Sequence, residues 1–127
     1  LSNILFPFKI KQKMPVCKVF TNVKTGPDFT NKIVEIVASV LGKPKSYVVA
    51  LVVFCEFNMG GSVAPGAIVE LSSIGKIDPV SNCKTSSVLT SFLVKELGID
   101  EQRLYINFQD MEKHNVGYSS TTFAKIM

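Results

Sequence analysis

A chain of 127 residues with 46% hydrophobic and 19% charged residues is long and apolar enough to bury the core of one ordinary domain, which excludes a disordered chain. Its formal charge of +4 is no nucleic-acid footprint: Lys9, Lys11 and Lys13 supply +3 of it, and from Pro15 onward 11 basic residues face 10 acidic ones. The three cysteines, Cys17, Cys55 and Cys83, form no CxxC pair and leave one over, so free thiols in a reducing compartment fit better than a disulfide framework.

The chain divides at Met14-Pro15. Residues 1–13 start at Leu1, end in alternating lysines and reverse the basic-then-apolar order of a signal peptide. Residues 1–14 therefore read as an N-terminal extension absent from the mature protein, and 15–127 as a single domain. Translation from Met14 followed by removal of that Met leaves a free prolyl nitrogen, a secondary amine that can act as a base. With the extension attached, the same nitrogen is an amide with no lone pair to offer.

Pro15 opens a strand that continues from Val16 to Thr21, the position where a strand tolerates proline. Asn22 to Pro27 is turn-forming, and Asp28 is placed to cap the helix that follows. Phe29, Ile33, Ile36, Val37, Val40 and Leu41 recur with helical spacing up to a stop at Gly42 and Pro44. Tyr47 to Phe54 is β-branched and apolar on both faces, as a central strand covered on both sides would be. Its run, extended to Cys55, is far short of the ~20 residues that span a bilayer, so no membrane insertion is expected.

After a loop containing Gly60 and Gly61, Ala67 to Ile77 reads as a strand with a bulge or close approach at Gly75. Ser81 or Asn82 is positioned to cap a second helix with its stripe at Val88, Leu89, Phe92, Leu93 and Leu97, ended by Gly98. Leu104 to Phe108 is a further strand, and the rest is loop with short strand-like pieces. The single histidine, His114, falls in that loop and has no ligand-spaced partner, so no metal is expected. The order is β-α-β twice, each a right-handed parallel crossover. Both helices then lie on one face of a four-stranded sheet. The other face stays bare, although Tyr47 to Phe54 is apolar there too, which calls for an oligomeric partner.

Six motifs stand in order along this framework: Met14-Pro15, Thr21-Asn22, Leu41-Gly42-Lys43-Pro44, Ser73-Ile74-Gly75-Lys76-Ile77, Arg103-Leu104-Tyr105-Ile106-Asn107 and Ser120-Thr121-Thr122-Phe123. From Pro15 to Ala124 the chain thereby resembles the macrophage migration inhibitory factor family of the tautomerase superfamily. The resemblance implies an α/β (α+β) fold: two β-α-β units forming a four-stranded mixed sheet with two helices on one face, in a homotrimer whose sheets close a central barrel. It implies a phenylpyruvate- or dopachrome-type keto–enol tautomerase acting on a small aromatic 2-oxo acid or enol, with no cofactor. The alternative is a cytokine-like protein that meets a cell-surface receptor and keeps a vestigial pocket. Members lacking a signal peptide occur in the cytoplasm and outside cells.

Within that resemblance Pro15 is the general base. An α-amino group titrates near 7.7–8.0, and an apolar pocket or a nearby cation lowers it further. Lys43, which alone reads as a solvated cation at a helix C-terminus, pairs with the substrate carboxylate and helps keep Pro15 neutral. The Ile74 backbone meets the substrate. Asn107, disfavoured in a strand and so expected to hold a partner, reaches the substrate's phenol from a neighbouring subunit. Tyr105 lines the same pocket, and Val16, Val116, Tyr118 and Phe123 form its walls. Tyr118 stands where the family commonly has Trp. The CxxC linked to redox activity in some members falls on Gly66 and Val69, and the receptor-associated positions fall on Cys55, beside Glu56, and on Lys24.

Overall fold

The computed structural model describes residues 14–127. Of the expected extension at 1–14, all but Met14 lies outside the described residues. Strand β1 (Pro15–Thr21) leads to helix α1 (Phe29–Leu41), a 3-10 turn at Lys45–Tyr47 and β2 (Val49–Phe54). The second unit is β3 (Ala67–Ser73), α2 (Pro79–Leu97), a 3-10 turn at Glu101–Arg103 and β4 (Leu104–Asp110). A 3-10 turn at Lys113–Asn115, a small hairpin of β5 (Gly117–Tyr118) and β6 (Thr121–Thr122), and the short helix α3 (Phe123–Ile126) complete the chain.

The main sheet has the order β2-β1-β3-β4. Its outer pairs are parallel and its central pair antiparallel, so the two β-α-β units lie side by side in one mixed sheet. Register follows the strand's two-residue period. Cys17 and Val19 of β1 and Ala67, Val69 and Leu71 of β3 join Ile33, Val37 and Leu41 of α1 and Leu89, Leu93 and Leu97 of α2 in one core. Each valine, leucine or isoleucine among them contributes about 1.5–3 kcal/mol on burial. Phe29 stacks on Phe92 at 5.9 Å between ring centroids, joining the two helices above the sheet.

Gly42 and Gly98 do end α1 and α2, each at a left-handed φ near 65°. Asp28, however, makes no side-chain cap bond; the first turn of α1 closes through the backbone, from the Lys32 N–H to the Asp28 carbonyl at 3.0 Å. Helix α2 starts earlier than Ser81 or Asn82. Asp78 is its cap, accepting from the Ser81 N–H at 2.8 Å and from the Ser81 hydroxyl at 2.9 Å. Pro79 occupies the first helical position, where its fixed φ suits the helix and its missing N–H costs nothing.

Two strand expectations are corrected. β2 is an edge strand, because β1 and β3 take the central places; an apolar run shows that both faces need cover but not which strand lies beside it. Ala50 and Val52 pack against the core, whereas Val49, Leu51 and Val53 are 43–46% exposed on the bare face. β3 stops at Ser73 rather than Ile77, because Gly75 and Lys76, at φ +80° and +65°, turn the chain away from the sheet.

The bare face is ordered by the same register. Val49, Val16, Ser72 and Gln109 align across it; so do Leu51, Lys18, Glu70 and Asn107, and then Val53, Phe20, Ile68 and Tyr105. The loop before β3 is held to the end of that face. Arg103 donates to the carbonyls of Ser62, Ala64 and Pro65 at 2.8–3.0 Å and lies over the Phe57 ring at 5.4 Å. Gly66 is required there, since a Cβ would collide with the Phe57 ring and come within 2.9 Å of the Arg103 carbonyl.

Candidate active site

Pro15 begins β1 opposite Ser73 of β3, and both side chains are fully buried. The Ile74 N–H donates to the Met14 carbonyl at 3.4 Å. That bond brackets Pro15 and Ser73 as a non-hydrogen-bonded pair, the closer kind of cross-strand neighbours. Met14 sits at φ +62°, in the left-handed region. The proline nitrogen of a chain retaining Met14 is thus an amide at the very end of the sheet.

Lys43 is not the solvated cation that its place after α1 suggests. It is only 6% exposed, and its Nζ donates to the Ile74 carbonyl at 2.7 Å. The left-handed Gly42 turns the chain inward here, with the Lys43 N–H returning to the Ala38 carbonyl at 2.9 Å. Burial lowers the Lys43 ammonium below its ordinary value and the neighbouring Lys76 adds to this, while Asp110 opposes both. Ile74 itself is 9% exposed, so its side chain belongs to the interior and its backbone supplies the polar groups.

An aromatic cavity of about 300 Å³ opens beside this end of the sheet, lined by Met14, Val16, Ser46, Tyr47, Val49, Val116, Gly117, Tyr118 and Phe123. Tyr118 stacks on Phe123 at 5.0 Å and 12°, and Tyr47 meets Tyr118 edge-on at 6.2 Å. The wall residues expected from the sequence, Val16, Val116, Tyr118 and Phe123, therefore come together. Met14 and Val16 in the lining flank Pro15, and Met14 also holds Ile74, which joins the cavity to the Pro15–Ile74–Lys43 cluster.

Sequence reasoning missed Tyr47, Ser46 and Val49. Tyr47 counted as the first residue of a strand, whereas the 3-10 turn closed by its N–H on the Pro44 carbonyl swings it into the cavity. Pro44 beside Gly42 is the signal that the strand starts later.

Tyr105 and Asn107 are not brought to this cavity within one chain. They lie on β4, separated from β1 by β3, and both are exposed on the bare face. Val16 and Val49, by contrast, belong both to that face and to the cavity wall. Elsewhere, a larger groove of about 530 Å³ on α2 is lined mostly by small polar groups, among them Ser86, Ser87, Thr90 and Ser91, and offers no base beside a cation. Burial pushes the Cys17 thiol up to about 12, which keeps it inert. Among the described residues no helix is long and apolar enough to cross a membrane.

The family model for macrophage migration inhibitory factor matches residues 14–124. A macrophage migration inhibitory factor homolog of Trichinella spiralis is 38% identical over 114 residues, covering 87% of this chain and 100% of its own length. The Xenopus tropicalis macrophage migration inhibitory factor is 36% identical over 115 residues, with the same coverage of 87% and 100%. The solved structure of the Trichinella spiralis factor superposes with a TM-score of 0.82 at 34% identity, over 84% of this chain and 98% of that one. The Toxoplasma gondii factor does so at 0.78 and 28% identity, over 84% and 98%. With its fold, its motifs and these relatives in agreement, the chain belongs to the macrophage migration inhibitory factor family of the tautomerase superfamily.

Proposed function

We propose that this protein is a phenylpyruvate- or dopachrome-type keto–enol tautomerase whose general base is the free amine of Pro15. The observation that carries the reading is the buried Lys43 ammonium on the Ile74 carbonyl, beside a strand-initial Pro15 at an aromatic cavity. In a protein beginning at Pro15, the Met14 carbonyl is gone and the Ile74 N–H is released. That donor and the Lys43 ammonium together can take a 2-oxo acid's carboxylate, with its aromatic ring among Tyr47, Tyr118 and Phe123.

The neutral Pro15 nitrogen then accepts the proton on the carbon next to the carbonyl. The C–H pair becomes the C=C bond, the carbonyl π pair moves to oxygen, and protonation of that oxygen gives the enol; the reverse sequence restores the ketone. The neighbouring cation disfavours prolinium and so keeps the base available. No cofactor is needed.

A homotrimer completes the site in this reading. The bare sheet face, with Val49, Leu51, Val53 and Tyr105 exposed, packs on other copies and brings a partner's β4 to the cavity. Tyr105 of one copy then lines the pocket of the next, and Asn107 bonds the substrate's phenol. In this reading the working protein begins at Pro15, without residues 1–14, and acts in the cytoplasm. A cytokine-like role at a cell-surface receptor rests on family membership and would persist without catalysis.

The test uses protein beginning at Pro15 and follows enol formation from p-hydroxyphenylpyruvate by ultraviolet absorbance. Keeping Met14 in front of Pro15, which makes the nitrogen an amide, is expected to cost ~10²–10⁴ in kcat, the usual weight of a positioned base. Full activity with that nitrogen acylated would sink the general-base assignment.

A further inference from the structure

The Ile74–Gly75 peptide group is held at both ends. Its carbonyl oxygen accepts from Lys43 Nζ at 2.7 Å, and its N–H donates to Asp110 Oδ1 at 3.2 Å. Carbonyl and N–H of a trans peptide point in opposite directions, so the cation and the anion clamp one plane from its two sides. Each polarises the group toward the other, which strengthens both bonds.

Something must hold this plane. Gly75 at φ +80° leaves the peptide free to rotate, and Lys76 at φ +65° occupies a region that a lysine adopts only when its surroundings enforce it. Asp110 reaches the turn on a rigid support. It is the last residue of β4, its Cα partner is Ser73, and the next N–H, that of Met111, donates to the Ser73 carbonyl at 2.8 Å. Lys43, in contrast, arrives on a long side chain whose direction is set by the carbonyl it finds.

We propose that Asp110 is a positioning residue of this site: by pinning the Ile74–Gly75 peptide it fixes the carbonyl that aims the Lys43 ammonium at the substrate carboxylate. The assignment rests on the proposed role of Lys43. It has a particular sign, because the Asp110 charge itself repels an anionic substrate while opposing the effect of Lys76 on the Lys43 ammonium. An amide at 110 keeps the acceptor for Gly75 and removes that charge; alanine removes both.

The experiment compares p-hydroxyphenylpyruvate with its methyl ester, in proteins beginning at Pro15, for the parent, D110N, D110A and K43M. D110A is expected to raise the ratio of acid KM to ester KM by ~3- to 10-fold, with D110N within ~2-fold of the parent, the size of one hydrogen bond that aims a neighbour. Exchange of the Gly75 amide with solvent deuterium is expected to quicken in D110A and not in D110N. An unchanged ratio in D110A overturns the proposal, as does an equal rise for acid and ester, which marks general loosening. If D110A does not fold, Gly75→Ala strains the same φ with Asp110 in place, and its ratio must rise. K43M separates the two readings: a ratio it leaves unchanged removes Lys43 from substrate binding, whereas a ratio that moves in K43M but not in D110A removes only Asp110.

Discussion

Replacing Lys43 by Met gives the most direct test of the site. Methionine fills most of the volume of the lysine stem and cannot donate, so the packing beneath stays while the bond to the Ile74 carbonyl and the charge are lost. Two effects on stability oppose each other. A hydrogen bond to a charged group is worth about 1.5–3 kcal/mol, but the lowered ammonium shows that burial already disfavours this charge. The net change in folding free energy is therefore expected to be small, about 0–2 kcal/mol by urea unfolding. Substrate binding has no such offset: losing a charge-assisted contact of about 1.5–3 kcal/mol raises KM for p-hydroxyphenylpyruvate by ~10- to 150-fold. The stability difference also has a pH signature. Because the folded state lowers this ammonium, it binds fewer protons than the unfolded chain at alkaline pH. The parent should then gain stability relative to K43M as pH rises from the lowered value toward ~10.4, where lysine discharges in the unfolded chain. A KM within ~2-fold of the parent would refute the binding role. A stability difference flat with pH would refute the buried charge.

Leu93, fully buried between the helices and the sheet, should cost about 2–5 kcal/mol on truncation to Ala, read from the urea midpoint at unchanged slope; a loss under ~1 kcal/mol would mean a looser core than its burial indicates. The two Ser81 bonds hold the Asp78 carboxyl below the usual carboxylate range. Its stabilising contribution should be full above the ordinary carboxylate value and fade as pH falls through the lowered one, so D78N should flatten the acid limb of the stability curve. The double change L51E/V53E puts like charges on the bare face. Light scattering should show it as monomers where the parent is expected to be a trimer, and a variant that still forms the trimer would place the subunit contact elsewhere. A form retaining residues 1–14 should be as stable as one beginning at Pro15 while losing ~10²-fold or more in tautomerase rate; equal activity in the two would end the amine mechanism.

Much of the architecture is legible in local pattern, because the forces involved are local. Helical spacing from Phe29 to Leu41, the stops at Gly42 and Gly98, and the strand at Pro15–Thr21 follow from side-chain direction and backbone freedom within a few residues. The parallel crossovers follow from chirality. Where two local rules compete, the sequence is silent about the winner: Ser81 is a good cap in isolation, yet Pro79 and Asp78 together start the helix sooner.

The site divides along the same line. Its ring-bearing wall and its strand-initial proline could be named from motifs, but not what those residues touch. Lys43 looks solvated because its neighbours in the chain leave it beyond a helix end. Its burial is decided by Ile74, 31 positions away, and the plane of that peptide by Asp110, 35 positions from Gly75. Sequence by itself determined which segments are helix or strand and which faces are apolar, since those properties repeat within a turn or a pleat. Tertiary structure alone decided that β2 lies at the edge, that Lys43 is inside, and that Tyr105 and Asn107 stand apart from Pro15 in one chain, because strand order and burial come from pairing segments distant in sequence.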